Sequence, residues 1–140
     1  MNRPASNSSP AAEGAAALIY VVDDETVLLD MAAVVLESLG YRVRTFRTAE
    51  AALAAFVDAR PRPSLIITDY SMLEMSGLAL IAECRRAEPQ QKTILVSGTH
   101  EQEVYSDAPC KPDRFLAKPY RAQELLEAVQ ALLGPAGRPG

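Results

Sequence analysis

Four short stretches put charged or hydroxyl side chains directly behind apolar runs: Asp23-Asp24, Asp69, Ser97-Gly98 and Lys118-Pro119. If those runs are parallel strands of an open α/β sheet, the residues converge outside the strands' carboxyl ends, where such sheets form their sites. Three carboxylates, a hydroxyl and an ammonium would then share one rim. Clustered carboxylates are hard oxygen ligands of the kind Mg²⁺ takes, together with waters and phosphate oxygens. Without a cation they would repel, and at least one would tend to take up a proton. A divalent ion with one fixed ammonium can neutralise the oxygens of a phosphoryl group passing to a carboxylate. Each residue alone has an ordinary structural reading, because acidic pairs and serines cap helices or make turns and Lys-Pro is common in solvated loops. The coincidence of all of them at successive strand ends has no such account.

The elements that must position these residues follow from periodicity. Leu18-Ile19-Tyr20-Val21-Val22 is continuously apolar, and Val27, Leu28, Met31, Val34, Val35 and Leu39 then fall at helical spacing before Gly40. The alternation repeats with 41–46 and 49–59, with 65–68 and 78–87, with 93–96, and with 114–117 and 123–133. Five strand-like units with interleaved helices predict an α/β chain: a doubly wound five-stranded parallel sheet with helices on both faces, of the flavodoxin-like kind. The runs at 18–22 and 65–67 are apolar throughout, as central strands covered on both faces require.

Composition limits the rest. A chain of 140 residues, 49% hydrophobic, is one domain in size and can bury a core without disulfides. The expected organisation is a disordered lead-in over 1–16, a single domain over 17–134 and a flexible Pro/Gly tail over 135–140 that leaves no room for a second module. A net charge of −4 with no basic stripe argues against direct nucleic-acid binding. Cys84 and Cys110 form neither a C-x-x-C nor a Cys/His pattern, and read as free thiols. No apolar run approaches the ~20 residues that span a bilayer, so a soluble cytoplasmic protein with no membrane contact is expected.

The segments Val21-Val22-Asp23-Asp24-Glu25, Ile66-Ile67-Thr68-Asp69-Tyr70-Ser71-Met72, Met75-Ser76-Gly77, Leu95-Val96-Ser97-Gly98 and Phe115-Leu116-Ala117-Lys118-Pro119 together resemble the receiver domains of two-component response regulators. The resemblance spans nearly everything from Leu18 to Leu133. It implies that Asp69 is the phospho-acceptor, that Asp24 binds Mg²⁺ directly with Asp23 supporting it through water, and that the Ser71 backbone carbonyl completes the protein ligands. It further implies that Lys118 pairs with the phosphoryl oxygens and Ser97 hydrogen-bonds one of them, with Phe115 the aromatic that swings inward. Phe115 also reads as ordinary core. The implied phosphodonor is a sensor histidine kinase or phosphotransfer protein, and the implied output is contact with a downstream protein by a monomer or weak dimer. The domain would catalyse only its own phosphorylation and dephosphorylation.

Two other functions compete. An aspartate-nucleophile phosphohydrolase would want a D-x-D pattern, but the position two beyond Asp69 is Ser71. A phosphorylation-independent adaptor on the same fold would be favoured by a degraded acid pocket, whereas every acid, the hydroxyl and the lysine are present. A dinucleotide-binding domain is excluded by the lack of a Gly-rich turn after the first strand. Three departures from the family pattern stand out. Leu73 replaces a frequent proline, and Arg121 replaces a frequent Ser or Thr cap worth about 1 kcal/mol. Over 98–112, Val104, Tyr105 and Ala108 are too few for an amphipathic stripe, and Pro109 and Pro112 restrict its continuation. The helix between the fourth and fifth strands is therefore expected to be short or irregular, with 99–111 ordering when Ser97 engages a phosphoryl group. His100, in the same stretch, reads as a solvated loop residue.

Overall fold

Strands covered on both faces call for apolar runs, and three strands carry them, at 18–22, 65–67 and 94–96. In a computed structural model describing residues 17–98 and 110–134, the chain runs β1 (Leu18–Val22), α1 (Thr26–Glu37), β2 (Arg42–Phe46), α2 (Ala49–Asp58), β3 (Leu65–Asp69), α3 (Gly77–Ala87), β4 (Lys92–Ser97), β5 (Arg114–Ala117) and α4 (Ala122–Leu133). All pairings are parallel, in the order β2-β1-β3-β4-β5, so β1, β3 and β4 are interior. This is the doubly wound, flavodoxin-like sheet that the alternation predicts. The expectations for 1–16, for 135–140, for His100 and for a short helix within 99–111 fall on, or depend on, residues outside those described.

The two faces carry separate cores. On one, Leu29, Ala32 and Leu36 of α1 and Leu125, Ala128 and Val129 of α4 pack on Ile19, Val21, Leu65, Ile67, Ile94 and Val96. On the other, Ala52 and Phe56 of α2 and Leu80 and Cys84 of α3 pack on Tyr20, Val22, Phe46 and Ile66. The buried face of α1 differs from the stripe read in the sequence: Val27 is 79% and Val34 67% exposed, while Leu29 and Leu36 are buried. Two apolar faces compete on this helix. Each leucine buries one methylene more than a valine, about 0.8 kcal/mol, and the small Ala32 between them lets the helix approach the sheet closely.

Local chemistry explains where helices begin and end. Thr48 and Ser76 cap α2 and α3, accepting the Ala51 and Ala79 amides at 3.1 Å each. Gly40, with φ of 99°, takes the left-handed turn that ends α1. Arg121 lacks an acceptor to cap α4, yet its own amide donates to Glu124 Oε1 at 2.7 Å, supplying half of a capping box.

Away from the strands' carboxyl ends, one arginine fastens the return of the chain into β5. Arg85 of α3 donates to the Gln91 carbonyl at 3.2 Å, to Thr93 Oγ1 at 3.2 Å and to the Lys111 carbonyl, and pairs with Asp113 Oδ2 at 2.8 Å. Asp113 in turn accepts the Thr93 amide at 2.8 Å. The β4 and β5 starts are thereby held together beneath the residues their other ends present. At the sheet margin, Arg44 of β2 lies over the rings of Tyr20 and Phe46, 5.8 and 5.1 Å from their centroids.

Candidate functional site

The carboxyl ends of β1, β3, β4 and β5 meet as expected, and the acids meet most closely. Asp23, Asp24 and Asp69 each offer a carboxylate oxygen within 4.8 Å of the others. Asp23 and Asp69 are 4% exposed and Asp24 is exposed. Asp24 also borders a cleft of about 400 Å³ lined by Arg47, Met72, Leu73 and Glu74. The acids thus form a buried base with one open side. An all-oxygen set of this kind suits a hard divalent cation.

Backbone contacts hold the two buried acids in place. The Asp23 amide donates to the Phe46 carbonyl at 3.0 Å, and Asp23 Oδ1 accepts the Glu25 amide at 2.9 Å. Thr68 Oγ1 donates to the Asp69 carbonyl at 3.0 Å. Beyond Asp69, the Tyr70 amide donates to the Val96 carbonyl at 2.8 Å and the Gly77 amide to the Tyr70 carbonyl at 3.0 Å, which closes the loop from β3 to α3. Leu73, in that loop, is 96% exposed. Ser71 follows Asp69 closely, and its amide hydrogen-bonds the Asp69 carboxylate.

Lys118 enters from the end of β5, after Ala117 pairs with Ser97, and the Lys118 amide donates to the Ser97 carbonyl at 2.9 Å. The Lys118–Pro119 peptide is cis. Lys118 Nζ lies 3.0 Å from Asp69 Oδ2, 3.2 Å from Glu25 Oε1 and 3.5 Å from Asp23 Oδ2. Ser97 is buried at the end of β4. Phe115, by contrast, is 45% exposed on the marginal strand β5, which rules out the ordinary-core reading.

Burial dominates the electrostatics. It pushes the Asp69 carboxyl up to about 6, against the lowering pull of Lys118 and the Ser71 amide. Burial also raises Asp23 above the usual carboxylate range. For Lys118, burial would favour the neutral amine, but the hydrogen bond and charge of Asp69, joined by Asp23 and Glu25, hold it firmly protonated above its ordinary value. Burial, with Asp23 nearby, pushes the Tyr120 phenol up to about 12, so it stays neutral beside the pocket. Two crowded acids with raised affinity for protons, plus a third at their edge, are a set that a divalent cation would relieve.

Two contributors escape sequence reading. Glu25 lies inside a quoted motif, but only the fold shows that it reaches Lys118. Gly77 also carries a signal only in hindsight, since a Cβ there would stand 2.1 Å from the Asp69 carbonyl oxygen.

Comparison with known proteins adds to this geometry. The family pattern of the response regulator receiver domain matches residues 19–130. The transcriptional regulatory protein TdiR of Thauera aromatica is 34% identical over 121 residues, covering 86% of this chain and 52% of that protein. The phosphate regulon transcriptional regulatory protein PhoB of Pseudomonas aeruginosa is 30% identical over 122 residues, covering 85% of this chain and 52% of that protein. The chain therefore spans about half the length of these curated relatives. A response regulator receiver domain protein from Clostridium thermocellum superposes with a TM-score of 0.77 at 27% identity, covering 84% of this chain and 94% of that one. Among the described residues, no helix is long and apolar enough to cross a membrane.

Proposed function

As this chain belongs to the response regulator receiver domain family, we propose that it accepts a phosphoryl group on Asp69 from a histidine kinase or phosphotransfer protein and signals by contact with a downstream protein. The observation that carries this reading is the 3.0 Å ion pair from Lys118 Nζ to Asp69 Oδ2 at the base of a three-carboxylate cluster. Asp23, Asp24, Asp69 and the Ser71 carbonyl would hold Mg²⁺, which when bound neutralises charge on the transferring oxygens.

The remaining work falls to the chain itself. An Asp69 oxygen forms the new bond to phosphorus as the bond from phosphorus to the donor's leaving atom breaks. Lys118, whose ammonium already faces the Asp69 carboxylate, stays against the phosphoryl oxygens as their charge develops. Ser97, joined to Lys118 through the backbone, hydrogen-bonds one of them and shifts, and the half-exposed Phe115 turns inward with it. The domain's own chemistry ends at its phosphorylation and dephosphorylation. Net charge of −4 supports output to a protein rather than direct contact of this domain with nucleic acid.

Incubation with Mg²⁺ and a small phosphodonor, followed by intact-mass analysis, tests the assignment. The wild type gains one phosphoryl group and Asp69→Asn gains none. Equal labelling of the two would overturn it.

A further inference from the structure

Glu25 occupies the position that opens α1, yet its side chain caps nothing. Ser, Thr, Asp and Asn are favoured there because a short side-chain oxygen reaches the orphan amides. Asp23 instead accepts the Glu25 amide, and the Glu25 carboxylate crosses to the end of β5 to take Lys118 Nζ at 3.2 Å. Among the described residues, Lys118 is the only cation paired with Asp23, Glu25 or Asp69. These partners differ in freedom. Asp23 and Asp69 are buried and tied to backbone amides, whereas the Glu25 side chain is 62% exposed. Glu25 also borders a groove of about 430 Å³ that opens onto Lys118 between Val27, Leu28, Pro119 and Tyr120. In that groove the Glu25 carboxylate and the Lys118 ammonium lie side by side, so a donor entering there would face both.

We propose that Glu25 is a positioning residue and a filter on phosphodonors: it holds the Lys118 ammonium at the mouth of the acid pocket and competes for it with the incoming phosphoryl group. The inference rests on Asp69 being the phospho-acceptor. Transfer turns the Asp69 carboxylate into an acyl phosphate and draws the Lys118 ammonium toward the phosphoryl oxygens, and of its other two partners the exposed Glu25 is the one free to swing away. The competition is electrostatic at a solvated rim, so it weakens as salt screens it. It should act most strongly against donors that carry the most negative charge.

Two small donors separate these effects. Acetyl phosphate is a dianion near neutral pH, and its transfer breaks the bond from phosphorus to the acetate oxygen, releasing acetate. Phosphoramidate carries a compensating ammonium, and its transfer breaks the phosphorus–nitrogen bond, releasing ammonia. At low salt with Mg²⁺, Glu25→Gln should raise the second-order labelling rate by roughly three- to tenfold with acetyl phosphate and by less with phosphoramidate, the gap closing at high ionic strength. Glu25→Asp, which keeps the charge, should stay nearer the wild type. Equal rates for wild type and Glu25→Gln, or slower labelling of the variant, would overturn the filter while leaving Asp69 as acceptor. A wild type labelled by neither donor would instead remove the acceptor assignment, and the filter with it. The contact itself has an independent readout, because the chain holds only three lysines, Lys92, Lys111 and Lys118. In lysine-selective NMR spectra the Lys118 Nζ signal should move in Glu25→Gln while the other two stay in place. An unmoved Lys118 signal would equally overturn the proposal.

Discussion

Gly77, the first residue of α3, rests against the backbone of Asp69: a Cβ added there would stand 2.1 Å from the Asp69 carbonyl oxygen and 3.0 Å from Thr68 Oγ1. The helix thus leans directly on the strand end that carries the proposed acceptor. Nothing but hydrogen fits between them.

Gly77→Ala should therefore push α3 and Asp69 apart. Alanine is favoured in helices by about 1 kcal/mol over glycine, but overpacking against backbone typically costs about 1–3 kcal/mol. A lower Tm is expected, together with slower labelling of Asp69 by a small phosphodonor. A variant that melts and labels like the wild type would contradict the close approach.

The raised Asp69 carboxyl makes apo-protein stability depend on pH. Its folded value of about 6 lies above the ordinary 3.8, so the folded state holds this proton more tightly than the unfolded state does. Ionisation therefore costs stability, with no penalty below about pH 4 and a full one above about pH 6, up to about 3 kcal/mol. In buffer free of divalent cations, Asp69→Asn should melt above the wild type at about pH 7.5, less whatever the weakened Lys118 contact costs, and the gap should close towards pH ~4. Mg²⁺ should raise the wild-type Tm more than that of the variant. A gap that does not change with pH would argue against the burial effect.

Removing the ammonium separates cation binding from chemistry. Lys118→Ala keeps all three carboxylates and loses a competing charge, so Mg²⁺ should bind at least as tightly in calorimetry. Labelling of Asp69 should slow by roughly a hundredfold, the usual loss when one preorganised charge partner is removed. Weaker Mg²⁺ binding in this variant would mean that Lys118 shapes the acid cluster rather than serving the transfer.

The two thiols should respond differently to alkylation. Cys84 is 0% exposed, and burial pushes its thiol up to about 12. Cys110 is partly exposed beside Arg85. Brief treatment with a maleimide should add one label to the native protein, at Cys110, and two after denaturation. Native labelling of Cys84 would show that the α3 core opens readily.

Much of the architecture was legible because it is written locally. Continuous apolar runs identify interior strands such as Leu65–Asp69, and the acids, hydroxyl and lysine follow such runs directly, so strand order alone gathers them. What stayed hidden depends on contacts between distant segments. The face α1 buries is chosen by how closely Ala32 lets it approach the sheet, which no periodicity records. The partnership of Glu25 with Lys118 spans 93 positions in sequence. Arg85 looks like one half of a charged Arg-Arg pair ending a helix, and only the fold shows the strand starts it gathers.

The arginines of β2 bear on how large the sheet can grow. A marginal strand offers unpaired amides and carbonyls to any extended chain that drifts against it. Here Arg42 and Arg44 are exposed along that strand, and Arg44 spreads its guanidinium over Tyr20 and Phe46, covering apolar rings with charge. A sixth strand docking there would have to displace that cover and bring its own groups against fixed positive charge. Charge along an edge strand disfavours edge-to-edge pairing, and these two arginines place it on the margin that β2 leaves open.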